Sequence, residues 1–138
     1  FYVPNTFAPN EPNVPGKHVL KNGYCILDPG CSVNIPSGIK VDIPDGYALV
    51  AFNKSGVAVK KNLTVGACVV DSDYQGEIHL NVINTSNSQP RRIECGEKLV
   101  QFLLLPVEHC GLEQVSEQEL FEEESQRGAG AFGSTGTK

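Results

Sequence analysis

Between Ile39 and Ile43 apolar and charged residues alternate, Ile39-Lys40-Val41-Asp42-Ile43, with the period of a strand that buries one face. Turn residues bracket this run, Pro36-Ser37-Gly38 before it and Pro44-Asp45-Gly46 after it. Further short runs rich in Val, Leu and Ile span Tyr47 to Phe52, Leu63 to Val70, Ile78 to Ile83 and Lys98 to Leu105, and each is predicted as a strand. Strands this short, with frequent turn signals between them, predict an all-β domain, either a distorted β-barrel or a jelly-roll sandwich. The absence of a βαβ rhythm argues against an open dinucleotide-binding sheet. Only Ser116 to Ser125 is predicted to be helical, with Ser116 and Glu119 spaced as a capping box. No internal repeat is visible.

Length and composition refine this picture. The 138 residues suit one domain with one core. Residues 1–106 read as the barrel domain with an extended, Pro- and Asn-rich N-terminal arm, 107–126 as a polar connector, and 127–138 as a glycine-rich C-terminal arm. No apolar run is long enough to span a membrane, and Phe1 to Pro15 lacks the basic start and apolar stretch of a signal peptide. Met is absent even from position 1, so a natural start upstream is expected.

A net charge of −5 argues against a general nucleic-acid binder. A small anionic ligand stays open, because Lys54, Lys60, Lys61, Arg91, Arg92, Lys98 and Arg127 supply a local positive field. Glu122-Glu123-Glu124 reads as a solvated face. Five cysteines without a secretion signal read as reduced thiols of an intracellular protein, in cytoplasm or nucleus. There is no Cys-x-x-Cys, and neither His109-Cys110 nor Cys25 with Cys31 has zinc-ligand spacing, so no metal site built from side chains is expected. The sequons at Asn53, Asn62 and Asn84 carry no meaning in such a setting.

Four segments carry candidate chemistry. The first is the tail Arg127-Gly128-Ala129-Gly130-Ala131-Phe132-Gly133-Ser134-Thr135-Gly136. Its glycines let the backbone wrap closely, Arg127 can fork onto phosphate, Phe132 can stack on a base, and Ser134 and Thr135 can donate hydroxyls. Taken alone, the same composition is that of a frayed end. Gly128 to Thr135 also fits G-x-x-x-x-G-x-T, but Ser134 stands where a phosphate loop needs its Lys. The second segment is Val69-Val70-Asp71-Ser72-Asp73-Tyr74-Gln75-Gly76-Glu77. On a strand, Asp71 and Asp73 would share a face; one carboxylate could activate water while Tyr74 shapes a pocket floor, or the pair could be a polar surface turn. The third is Lys54-Ser55-Gly56, read as a turn able to meet phosphate or as a plain turn. The fourth is Gln101, a lone amide in the apolar run Leu99 to Leu103, expected to satisfy backbone or reach a ligand.

In this order, the four segments resemble the trimeric dUTP diphosphatase (dUTPase) family from about Cys25 to Lys138, particularly its eukaryotic and viral members. Ile35-Pro36-Ser37-Gly38-Ile39 and Ile43-Pro44-Asp45-Gly46-Tyr47 match the strands before the family's second motif. The resemblance implies hydrolysis of dUTP to dUMP and pyrophosphate, with Asp71 orienting and deprotonating the water that attacks the α-phosphorus. Tyr74 would pack beneath the deoxyribose and exclude a 2′-hydroxyl. A hairpin whose backbone runs through Gly66, Ala67, Cys68 and Val70 would pair with the uracil edge. Lys54, Ser55, Gly56 and Gln101 would hold phosphate oxygens. Arg127, Phe132, Gly133, Ser134 and Thr135 would close as a lid over phosphates and base. Mg²⁺ would be held by phosphates and water rather than by side chains, and three chains would share each site in a homotrimer.

Three departures from the family pattern stand out. Lys54 replaces an Arg, keeping the charge and losing the fork. Cys68 stands where relatives often have Gly, which would cost energy if that backbone needs φ > 0. The first motif, expected near Pro15-Gly16-Lys17-His18-Val19, is not recognisable. These departures keep a dUTP-binding regulatory protein with weak catalysis as the alternative; a dCTP deaminase relative fits the Asp71 to Gly76 pattern less well.

Overall fold

Short apolar runs separated by turns bury their side chains by pairing distant segments, and the described residues do this with eight strands. The computed structural model describes residues 23–121, 123 and 125–130. In chain order these form β1 (Tyr24–Leu27), β2 (Ser32–Pro36), β3 (Tyr47–Asn53), α1 (Ser55–Lys61), β4 (Leu63–Val65), β5 (Val69–Val70), β6 (His79–Asn84), β7 (Arg91–Glu94), β8 (Val100–Pro106) and α2 (Glu117–Leu120). All strand pairing is antiparallel, in three small sheets of order β1-β7, β2-β6-β4 and β5-β3-β8. Their inner faces share one core, a distorted barrel in which Leu27, Ile35, Leu63, Leu80, Ile93 and Leu99 are fully buried. Each such side chain contributes about 1.5–3 kcal/mol by leaving water. Burial among them pushes the Cys25 thiol up to about 11.

The buried Asn84 ties the sheets at their turns. Its Nδ2 donates to the carbonyls of Leu27 and Gln89, both at 2.9 Å, and its Oδ1 accepts the Ser86 N–H at 3.0 Å. Its backbone N–H donates to Cys31, and its carbonyl accepts from Gly30. With every polar group satisfied, this sequon lies in the core, closed to modification.

Several elements differ from the sequence reading. Ile39–Ile43 forms no strand; Ile39 and Ser37 each bond to the Ile78 backbone, after which the run packs Ile43 inward without a ladder. Pro44 ends it by removing a ladder donor. Leu63–Val70 is not one strand but β4 and β5, which join different sheets. Where Lys54-Ser55-Gly56 is expected to be a turn, residues 55–61 form the helix α1. It buries no side chain and is held at its end instead. There Asn62 adopts the left-handed conformation (φ 53°), its N–H donates to Ala58, and its Oδ1 accepts from Arg91 Nη2 at 2.7 Å. Lys61 adds an ion pair with Glu97. The prediction over Ser116–Ser125 shrinks to α2, with the capping box present: Glu119 accepts from the Ser116 N–H at 3.1 Å and hydroxyl at 2.7 Å.

The described residues divide into two compact units at Glu108 and His109. α2 and the turn around Arg127 belong to the second.

Candidate functional site

Asp71 and Tyr74 come together in a cleft of about 220 Å³ lined by Val69, Val70, Asp71, Tyr74, Ile78 and His79. Complete ligand sites run to roughly 300–1,000 Å³, so this cleft suits one end of a ligand. Its wall is the loop between β5 and β6. Asp71 and Asp73 sit in a turn there, not on one strand face, and the turn is closed by the Tyr74 N–H donating to the Asp71 carbonyl at 3.2 Å. The Tyr74 hydroxyl donates to the Glu77 carbonyl at 2.7 Å, laying the ring across the loop. Gly76 makes that possible: a Cβ at Gly76 would lie 2.4 Å from the Tyr74 hydroxyl oxygen. The Glu77 carboxylate accepts the Gly38 N–H at 2.6 Å and anchors the loop to the turn after β2. The Asp71 carboxylate is exposed, and no hydrogen bond or ion pair engages it among the described residues.

The stretch from Gly66 to Val70 is a corner rather than a hairpin: β4 pairs with β6, whereas β5 pairs with β3. The Gly66 N–H donates to the Asn81 carbonyl at 3.0 Å, and a Cβ at Gly66 would lie 2.0 Å from Asn81 Oδ1. Glycine is therefore required there by close approach. Ala67 and Cys68 are exposed, and the Cys68 carbonyl accepts the Ala51 N–H at 2.7 Å. Cys68 has no positive φ, so replacing glycine costs no backbone strain at this position.

The phosphate-binding candidates gather elsewhere. Lys54 is the extended N-cap of α1, and Ser55 and Gly56 form its exposed first turn, whose leading N–H groups lack helical partners. Gln101 pairs with Phe52 at the same end of β3. It is exposed, not buried as its apolar surroundings suggested, and its Nε2 donates to the Asn53 carbonyl at 3.2 Å. Asp71, by contrast, follows Val70, which pairs with Leu49. From Leu49 to Ser55 the extended chain covers roughly 20 Å at about 3.3 Å per residue. One chain thus brings Asp71 and Tyr74 together, and Ser55 and Gln101 together, but not the two pairs.

Arg127 lies in the second unit, where its Nε donates to the Gly130 carbonyl at 2.8 Å. Phe132, Gly133, Ser134, Thr135 and the stretch around His18 lie outside the described residues. Sequence reasoning missed His79 as part of the cleft and Glu77 as the anchor of its loop. Glu77 was in view only as the end of the Asp-Tyr segment, and His79 carried no spacing signal.

The β5-β3-β8 sheet also leaves apolar side chains in the open: Tyr47, Phe52, Val69, Leu103 and Leu104 are all exposed. An apolar groove of about 220 Å³, lined by Ser37, Ile39, Val41, Leu49, Ile78 and Phe102, lies beside them.

Residues 5–136 match the dUTPase family model. The deoxyuridine 5′-triphosphate nucleotidohydrolase of Pseudomonas putida is 39% identical over 140 residues, covering 99% of this chain and 89% of its own. The Staphylococcus bacteriophage 80alpha dUTPase, solved with dUpNHpp, is similar at a TM-score of 0.69 and 25% identity, covering 96% of this chain and 92% of its own. A mutant dUTPase from phage phi11 of S. aureus, solved for the coordination of a structural Mg(II) ion, shares the fold at a TM-score of 0.62 and 22% identity, covering 84% of this chain and 92% of its own.

Proposed function

The chain belongs to the dUTPase family and hydrolyses dUTP to dUMP and pyrophosphate, and from that premise we propose that Asp71 is its general base, at a site completed by neighbouring copies. The observation that carries this is the cleft where the unengaged Asp71 carboxylate stands beside Tyr74. The deoxynucleoside enters the cleft, with Tyr74 beneath the sugar and the backbone of the Gly66–Val70 corner at the uracil edge. Gly66 contributes its carbonyl, since its N–H is already used. Asp71 takes a proton from a water whose oxygen attacks the α-phosphorus, and the bond to the pyrophosphate oxygen breaks.

The phosphates need donors that this chain holds roughly 20 Å away at the other end of β3. A second copy supplies Lys54, Ser55, Gly56 and Gln101, and the tail from Arg127 to Thr135 closes the site. The exposed apolar side chains of the β5-β3-β8 sheet support the homotrimer, because Tyr47 and Leu104 on one side of the sheet and Phe52 and Leu103 on the other gain by being covered. Mg²⁺ bound with the substrate would neutralise the triphosphate and fix its conformer. In this reading no side chain is assigned as an Mg²⁺ ligand; the three phosphates and water would hold the ion. All five cysteines are unpaired thiols, which supports a reducing, intracellular setting.

Pyrophosphate release from dUTP with Mg²⁺ tests the reading. Asp71→Asn should lower kcat by about 10²–10⁴-fold while a non-hydrolysable dUTP analogue binds with nearly unchanged Kd. A variant that keeps the wild-type rate overturns the assigned base.

A further inference from the structure

His79 is the one polar side chain of the cleft that this mechanism leaves idle. It opens β6, where alternation sends Leu80, Val82 and Asn84 into the core and turns His79, Asn81 and Ile83 the other way. Its Nδ1 lies 2.9 Å from the Glu77 carbonyl oxygen, the same atom that accepts the Tyr74 hydroxyl at 2.7 Å. A carbonyl oxygen can only accept, so Nδ1 carries a proton, and in the neutral ring the lone pair is on Nε2. The imidazole is therefore pinned beside Tyr74 through one nitrogen and offers an acceptor through the other.

The nucleoside part of dUTP has two hydrogen-bond donors, the uracil N3–H and the sugar 3′-hydroxyl. The first belongs to the base edge, which the Gly66–Val70 backbone meets. We propose that His79 Nε2 accepts a hydrogen bond from the 3′-hydroxyl, so that His79 sorts nucleotides by the presence of that group. The geometry joins this contact to the mechanism: the Glu77 carbonyl holds both the ring under the sugar and the ring at its 3′ edge. This inference rests on the nucleoside's placement in the cleft.

The test compares kcat/KM for dUTP and for 2′,3′-dideoxyuridine triphosphate in wild type, His79→Phe, His79→Gln and Tyr74→Ala, with Tm measured for each. Wild type should favour dUTP by at least about threefold, the scale of one neutral hydrogen bond. His79→Phe should erase the preference by lowering the dUTP value alone. His79→Gln, which offers an amide oxygen on a chain of similar reach, should recover part of it. A preference that survives His79→Phe, or an equal fall for both substrates, overturns the role of His79 alone. If Tyr74→Ala leaves dUTP turnover unchanged, the placement of the nucleoside fails, and the inference with it.

Discussion

Gly76, in the loop after β5, and Gly56, in the first turn of α1, serve opposite purposes. Where β3 meets β5, a Cβ on Gly76 would press into the Tyr74 ring, because the chain has already filled that space. Where β3 runs into α1, a Cβ on Gly56 would meet nothing within 4 Å. At the first end the loop is tied by Tyr74 to Glu77, His79 to Glu77, and Glu77 to Gly38. At the second, Ser55 and Gly56 stand exposed on a helix with no buried side chain. In the proposed site the nucleoside end is thus preorganised within one chain, whereas the phosphate donors would meet it from a second copy.

The sharpest way to break this contrast is to mix two disabled proteins. Asp71→Asn damages the first end, and Ser55→Asp sets a negative charge against the phosphates at the second. Co-refolded in equal amounts, they should recover about a quarter of wild-type activity, because random assembly leaves that share of two-chain sites intact. Activity that stays at the level of the separate variants would place both ends in one site of one chain. Next in size, Gly76→Ala should displace Tyr74 and lower kcat/KM for dUTP by roughly 10- to 100-fold, and UTP should become a better competitor. Gly56→Ala should leave Tm unchanged, so an equal loss of Tm in both variants would erase the distinction. The smallest effect is expected from Lys54→Arg, which restores a forked donor and should lower KM about two- to fivefold. An unchanged or higher KM would show that charge alone suffices there.

Much of the β scaffold was legible because β3, β6 and β8 carry apolar runs long enough to signal themselves. β1, β2 and β7 were harder to see. β7 reads Arg-Arg-Ile-Glu and buries only Ile93, so its pairing with β1 is a tertiary outcome. The helix α1 was hidden for a related reason: Val57-Ala58-Val59 favours a strand locally, and the helix is secured from outside by Arg91 and Glu97. Ile39–Ile43 erred in the other direction, since of its alternating apolar residues only Ile43 is buried and no partner strand pairs with the run. In the candidate site, Asp71, Tyr74, Ser55 and Gln101 stand out from residue type and order. Their division between the ends of β3 was not, because it depends on the register of Val70 with Leu49. The hub at Glu77 was hidden too, as its contacts to Tyr74 and His79 run through a backbone carbonyl that any residue could supply, and only its bond to Gly38 uses the carboxylate.

The spacing along β3 also bears on inheritance. In the proposed assembly the barrel of each chain serves two different sites, one through Asp71 and one through Ser55. A copy defective at only one end silences one site and still rescues a partner defective at the other. A copy defective at both ends silences two sites of the three. Single-ended alleles should therefore complement one another, while a double-ended allele should behave as a dominant inhibitor when expressed beside the intact gene.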